Sequence, residues 1–405
     1  MNTPRIHYRF SRPSTPVTAD PPSVDVLLSI SVPVILGPRP PLNLALVLDC
    51  SGSMAGRSLQ LAKRAAQQAV RLLTPQDRVS VVTFDSHARV LVPGTAVTEP
   101  EALVEIIAGI RSGGSTALHD GWATGLQEVR PASDFYPLNR VLVLTDGFAN
   151  VGLRTPDALA IQVSLGLSQG VSTSVIGLGN HYNEVLLETL ATAGDGNYTY
   201  VEDPSQLEAV FHAELAGMRA TAGQRVSLGL EGTGGARVLE VYNDLQRMPN
   251  GRLRLPNLLL GQPLQVATRI CSESHAGAGV HLRLAWNDVT TGERQVQWED
   301  VNLPHPDGLP LDTDVASVVT ALQVARLKEG AISAAERGDV VGAERQWDQI
   351  SGMIRSGISD GLTLDAEARG LQQVRDRLER GDHASASKLA RSQNYARRQS
   401  KRGPG

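Results

Sequence analysis

Cysteine is almost absent from this 405-residue chain, and the two that occur, Cys50 and Cys271, stand far apart. Neither a disulfide framework nor a zinc knuckle can be built from such a pair, and a reducing compartment is expected. Long hydrophobic runs are missing too: no apolar stretch approaches the roughly 18 residues that span a bilayer. The opening stretch, Met1 to Ser23, holds arginines and prolines but no continuous apolar segment of the secretory kind. The expectation is a cytoplasmic protein with no membrane span. A strong charge bias is likewise lacking, and a formal net charge of -4 sets up no global field for nucleic acid, which is excluded as the default partner. What remains is an ordinary globular composition, 41% hydrophobic and 20% charged, in a chain long enough for two or three separately cored domains.

Two strand-like runs open the chain, Ile6 to Phe10 and Val24 to Val34, on either side of a proline-rich stretch. From Leu42 apolar runs alternate with amphipathic helices, the pattern of a parallel-rich sheet with helices on both faces. Leu44 to Leu48, Val79 to Phe84, Arg140 to Thr145 and Ser172 to Gly177 are predicted strands. Helices are predicted at 58–73, 99–109, 118–130, 156–168, 183–193 and 204–218. Between Gln224 and Leu303 the helical period disappears, and short β-rich runs separated by Gly, Pro and Asn predict an antiparallel sandwich. The N-terminal strands have too few partners of their own and are expected to join that sheet.

After Pro310 apolar residues recur at helical spacing. Glu336-Arg337-Gly338-Asp339 with Ala343 is echoed at Glu379-Arg380-Gly381-Asp382 with Ala386, each copy predicting a turn between paired helices. The expected organisation is therefore sandwich strands at 1–41, an α/β domain at 42–220, the rest of the sandwich at 221–310, a helical domain at 311–396 and a basic flexible tail at 397–405.

Chemistry concentrates in the loop after the first α/β strand, Asp49-Cys50-Ser51-Gly52-Ser53-Met54. It offers one carboxylate and two hydroxyls at alternating positions, at the edge of an open α/β sheet where ligands gather. Two further segments can reach that edge: Gly113 to Thr116, which adds a hydroxyl, and Leu144-Thr145-Asp146-Gly147, which adds a second carboxylate. Oxygen ligands without His or Cys select hard cations, Mg²⁺ or Mn²⁺ or Ca²⁺, over zinc. Two carboxylates balance one divalent charge, so an ion completed by neutral hydroxyls and water still attracts an outside anion such as a partner's Asp or Glu. In the competing reading, Asp49 and Asp146 only cap helices and the serines only satisfy loop backbone. Cys50 alternates away from the ligand positions and reads as a small buried apolar residue.

Asp49-x-Ser51-x-Ser53, Thr116 and Asp146, in this order on these loops, resemble the metal-ion-dependent adhesion site of von Willebrand factor A domains. The resemblance covers residues 42 to 218. It implies a Rossmann-like domain with Asp49, Ser51, Ser53, Thr116 and Asp146 holding a divalent metal, and a partner-binding rim of Met54, Ser115, His119, Gly147 and His181. The flanking strands and helical end look like bacterial intracellular and inter-alpha-inhibitor-like members of the family. For these the resemblance implies a non-enzymatic adaptor or scaffold in a cytosolic complex, with MoxR-type AAA ATPases among the partners. The fold expected for the whole chain is thus an α/β domain inserted in an antiparallel β-sandwich and followed by helices. The alternatives from other classes are a metal-dependent hydrolase or phosphatase and an exported adhesin. Two further motifs fail on context: Gly166 to Gly170 matches G-x-S-x-G but runs helix into strand, and both Arg-Gly-Asp triplets fall in helix turns.

Overall fold

A computed structural model of the protein describes residues 3–13, 22–34, 39–272, 277–356 and 362–398. These form two compact units, one running from residue 39 to Ala220 and the other assembled from the residues up to 34 and those from Thr221 onward. The chain begins in the second unit with β1 (Arg5–Ser11) and β2 (Ser23–Ser31). It then runs through the whole α/β unit before returning.

The α/β unit comprises β3 (Leu42–Asp49), α1 (Arg57–Leu72), β4 (Arg78–Phe84), β5 (Ala88–Ala96), α2 (Pro100–Ala108), α3 (Leu118–Val129), β6 (Leu138–Thr145), α4 (Pro156–Ser168), β7 (Val171–Leu178), α5 (Glu184–Ala193), β8 (Asp195–Val201) and α6 (Leu207–Arg219). Its sheet has the order β5-β4-β3-β6-β7-β8. Every pairing is parallel except that of β5, which lies antiparallel on β4. Every residue of β3, β6 and β7 is buried, because helices cover both faces; that is why these strands read as continuous apolar runs rather than alternating ones. On α1 the buried positions Leu59, Ala62, Ala66 and Val70 fall on one helical face, and the small alanines let the helix lie close.

Strand order decides where a ligand can sit. From β3 the chain steps outward to β4 on one side and later to β6 on the other, so the crevice beyond the carboxyl ends of β3 and β6 is the topological switch point. Asp49 ends β3 and Asp146 follows β6 there.

The other unit resumes with β9 (Thr221–Thr233), β10 (Ala236–Val241), β11 (Leu253–Arg254), β12 (Leu258–Leu259), β13 (Leu264–Ser272), β14 (Gly279–Asp288) and β15 (Arg294–Asn302). Two antiparallel sheets, β1-β2-β13-β10 and β11-β9-β14-β15, enclose a core that includes Val26, Leu28, Ile30, Val266, Leu228, Leu282 and Leu284. The N-terminal strands do join the sandwich, with β2 antiparallel to β13 and Leu28 opposite Val266. The run Val24 to Ile30 carries apolar residues on both faces for a reason. Leu28 enters the sandwich core, while Leu27 and Ala267 lie with Val315, Val319 and Leu322 in a cluster on the other face.

Those last three residues belong to α7 (Thr313–Glu336), which is followed by α8 (Val340–Ser356), α9 (Leu362–Glu379) and α10 (His383–Arg398). Both echoed turns take one geometry. Gly338 and Gly381 have φ of 78° and 77°, a left-handed conformation that ends a helix at little cost only for glycine. The next residue caps the following helix, Asp339 accepting from the Gly342 N–H at 2.9 Å and Asp382 from the Ser385 N–H at 3.1 Å. Ala386 is fully buried and Ala343 nearly so. The end of the basic tail, from residue 399, lies outside the described residues. No helix among the described residues is long and apolar enough to cross a membrane.

Candidate metal centre

Both carboxylates at the switch point are buried, Asp49 completely and Asp146 to 9% exposure. Each is held by short-range donors. Asp49 Oδ1 accepts the Ser51 N–H at 2.7 Å and its Oδ2 accepts the Thr145 hydroxyl. The Ser51 and Ser53 hydroxyls lie 3.0 Å apart, and Ser53 Oγ donates to Asp146 Oδ1 at 2.6 Å. A hydroxyl chain therefore links the two acids. Thr116 is brought to the same place: a Cβ on Gly147 would stand 2.9 Å from Thr116 Oγ1 and 3.3 Å from Ser53 Oγ.

Neighbouring loops fix this arrangement. Gly52 N–H donates to the Gly114 carbonyl at 3.1 Å and Gly113 N–H to the Cys50 carbonyl at 2.8 Å, zipping the serine loop to the threonine loop. Asn150 clamps Thr116 from the other side, accepting its N–H at 2.8 Å and donating its own N–H to the Thr116 carbonyl at 3.1 Å. Ser86 Oγ accepts the Ser115 N–H at 3.0 Å, and the Asp85 carbonyl accepts the Ala117 N–H at 2.8 Å. Thr145, Asn150, Ser86 and Asp85 thus hold the site, and none was among the residues expected from sequence.

The electrostatics ask for a cation. Burial pushes the Asp49 carboxyl up to about 6 against an ordinary 3.8, with repulsion from Asp146 adding to it, even though donors from Ser51 and Thr145 pull it down. Burial also raises Asp146, against the downward pull of Ser53 and His181. No lysine or arginine pairs with either acid among the described residues. Two buried acids without a countercharge are costly, and the oxygen-only donor set suits a divalent hard cation. Among the described residues no cluster of three or more His, Cys, Asp or Glu could hold a metal, so an ion here must rely on Ser51, Ser53, Thr116 and water beside the two acids.

The expected rim divides. Gly147 lies against the hydroxyls, Ser115 is half-buried beside them, and His181 is exposed and close enough to act on Asp146. His119 turns to Asp120, 3.3 Å away, and to the Trp122 ring at 6.2 Å. Met54 has to be corrected: its side chain is fully buried, because the 3-10 turn Gly52–Met54 directs it inward, and it cannot touch a partner. Phe148, next to Gly147, is 57% exposed and presents the apolar surface that Met54 does not. Cys50 is buried with its thiol pushed up to about 11 by burial, an inert packing residue.

Residues 43–213 match the family model of the von Willebrand factor type A domain. The α/β unit is a von Willebrand factor type A domain. The protein is 32% identical to the uncharacterized protein sll0103 of Synechocystis over 168 residues, 42% of this chain and 39% of that one. It is 28% identical to human inter-alpha-trypsin inhibitor heavy chain H3 over 167 residues, 39% of this chain and 19% of the relative. The chain therefore spans under two fifths of the length of the curated relatives it matches. Over nearly its whole length it shares the fold of a von Willebrand factor type A protein from Catenulispora acidiphila, with TM-score 0.67, 18% identity and coverage of 92% of this chain and 90% of that one. The ArnB paralog VWA2 of Sulfolobus acidocaldarius matches with TM-score 0.62 at 18% identity, covering 96% and 97%.

The position of Gly147 leads to a first prediction. Gly147→Ala sets a methyl against the Thr116 and Ser53 hydroxyls without changing charge. Calorimetric titration with Mg²⁺ should show roughly tenfold weaker binding, or about 1.4 kcal/mol, beside a modest fall in the metal-free melting temperature as Thr116 shifts to clear the methyl. Unaltered Mg²⁺ affinity would mean these hydroxyls are not ligands.

Proposed function

We propose that this von Willebrand factor A domain binds one divalent cation, Mg²⁺ in the first instance and Mn²⁺ or Ca²⁺ by the same chemistry, through Asp49, Ser51, Ser53, Thr116 and Asp146. A carboxylate from a protein partner then completes the coordination. Domains of this family commonly mediate metal-dependent protein–protein interactions, and one observation carries the reading here. Two buried acids are joined through Ser51 and Ser53 at the open end of the sheet, and among the described residues no lysine or arginine pairs with either. Two carboxylates neutralise the ion without saturating it, which leaves it attractive to an external Asp or Glu. His181 is exposed and close enough to act on Asp146, and Phe148, the residue after Gly147, is exposed as well. The chain on this reading is a binding module rather than an enzyme, an adaptor or scaffold in a cytosolic complex. A MoxR-type AAA ATPase is among the partners that the family resemblance implies.

The test is affinity capture from the native lysate in Mg²⁺ and in EDTA, with Asp49→Ala as the matched control. Partners lost both in EDTA and with the variant are the expected result. Partners retained in both would move the binding function to the sandwich or the helices.

A further inference from the structure

We infer that the outer face of the sheet β11-β9-β14-β15 binds single-stranded nucleic acid, with Arg252 and Arg283 holding phosphate and Trp298 stacking a base. Leu228, Leu253, Leu282 and Leu284 point into the sandwich core, so their neighbours in sequence face outward. One row across that face runs Arg252, Gly229, Arg283, Trp298. Gly229 stands opposite Arg283 and Arg283 opposite Trp298, while a Cβ on Gly229 would lie 3.8 Å from the Arg252 Cγ and 3.5 Å from the Arg283 Cβ. The next row, Arg254, Ser227, Ala285 and Val296, adds a third guanidinium. Glycine, serine and alanine thus floor a shallow trough between arginines.

These cations lack anions of their own. Among the described residues no carboxylate forms an ion pair with Arg252, Arg254 or Arg283. Arg254 donates to the Gln246 amide oxygen at 3.3 Å, and one terminal nitrogen of Arg283 is buried without a hydrogen-bond partner. The acids that share the face lie one row further on: Asp300 is taken by His281 at 2.5 Å, and Glu231 stands opposite His281. Arg294 spends its bonds on neutral acceptors, Asn287, Ser227 and the Arg225 carbonyl, so it stays charged at the end of the trough. Burial and repulsion from Arg252 hold Arg283 below the usual guanidinium range, and burial with repulsion from Arg283, Arg225 and Arg252 does the same to Arg294. The net charge of -4 describes only the global field; phosphate is recognised by a local basic stripe of this kind.

Trp298 decides which anion fits. Its ring is stacked on His281 at 4.8 Å with the Arg283 guanidinium 5.4 Å away, yet the residue is 54% exposed. The carboxylates of an acidic peptide would use the arginines alone, whereas an unstacked base also needs an aromatic plane beside the phosphate contacts, and this open sheet face supplies both. A duplex hides the faces of its bases in the stack and has nothing to offer the indole. An aromatic held rigid and left half bare loses little freedom when it is covered.

Fluorescence anisotropy of a labelled single-stranded oligothymidylate, titrated with the full chain in EDTA over a series of salt concentrations, tests this with the metal centre out of play. Binding at low salt is expected, the logarithm of the affinity falling against that of salt with a slope of about 0.7 per phosphate held. Arg252→Gln and Arg283→Gln should each take about 0.7 off that slope. Trp298→Leu should weaken binding roughly tenfold at unchanged slope, since it removes stacking and no charge. Gly229→Glu separates lost binding from lost folding: its Cβ meets ordinary contacts and its carboxylate enters between the two guanidiniums, so it should abolish binding while raising the melting temperature. No binding at low salt, or binding that Gly229→Glu leaves intact, would overturn the assignment. So would polyglutamate or a duplex bound as tightly as the single strand, the first of these giving the face to an acidic protein instead.

Discussion

In thermal unfolding followed across a Mg²⁺ titration, the wild-type chain is expected to gain about 1.4 kcal/mol for every decade of Mg²⁺ above the dissociation constant. Asp49→Asn and Asp146→Asn should stay flat. The contrast is large because each substitution removes half the charge that balances the ion. Without metal the order reverses. Asp49 has its carboxyl raised from 3.8 to about 6 by burial, so the folded metal-free protein binds a proton that the unfolded chain releases. That contribution is fully present below pH 3.8 and is lost as pH rises through about 6, a swing on the order of 3 kcal/mol. At pH 7.5 in EDTA, Asp49→Asn should therefore melt above wild type, its amide able to accept from the Ser51 N–H and to donate to the Thr145 hydroxyl. Asp49→Ala is the poorer probe, since it leaves both donors unmatched at about 1–3 kcal/mol. The Mg²⁺-induced gain should also shrink as the buffer moves from pH 7 toward 5, where the proton competes with the ion. Equal Mg²⁺ responses in wild type and Asp49→Asn would remove the basis for a metal at this edge.

The residues involved show how far the sequence could be read. Asp49, Ser51 and Ser53 announce themselves because a carboxylate and two hydroxyls at alternating loop positions have few structural uses, and a buried strand directly before them fixes their place. Thr145 was invisible as part of the same site: it reads as an ordinary β-branched strand residue, and only the pairing of β3 with β6 brings its hydroxyl to Asp49. Asn150 and Ser86 reach Thr116 and Ser115 from loops whose proximity depends on the finished sheet. Two strands of the α/β unit also escaped notice. β5 holds Pro93 and Gly94 and is largely exposed, so it carries no apolar run. β8 starts at Asp195 in a left-handed conformation, with φ of 51°, followed by Gly196 and Asn197, and so reads as a turn even though Tyr198 and Val201 are buried. Met54 shows the reverse error: the resemblance set it on the rim, whereas it alternates with Cys50 away from the ligand positions and the 3-10 turn carries it into the core.

The largest change in stability is expected away from the candidate metal site, at Asp25. Its carboxylate takes two bonds from Arg269, Nε at 2.8 Å to Oδ1 and Nη2 at 3.1 Å to Oδ2, and a third from the Tyr242 hydroxyl at 2.9 Å. All three residues are buried, and Arg269 also lies 5.6 Å from the centre of the Tyr242 ring. Asp25 stands on β2 directly opposite Arg269 on β13, while Tyr242 follows β10, so one carboxylate ties three segments of the sheet. A buried pair contributes little over an apolar replacement, but removing one partner leaves the other charge stranded, at about 3–5 kcal/mol. Asp25→Ala should therefore unfold the sandwich at markedly lower urea. Tyr242→Phe should cost only about 1 kcal/mol, because the salt bridge survives and a single hydrogen bond is lost. Asp25→Asn should fall between them, still accepting from Arg269 but no longer neutralising it. Because β1 and β2 reach the rest of the unit in sequence only through the whole α/β domain, this pair is a principal bond between distant parts of the chain. Hydrogen exchange in Asp25→Ala should accordingly rise first at β1 and β2, while β14 and β15 keep their protection until global unfolding; a uniform rise across both sheets would show instead that the sandwich opens as one cooperative body.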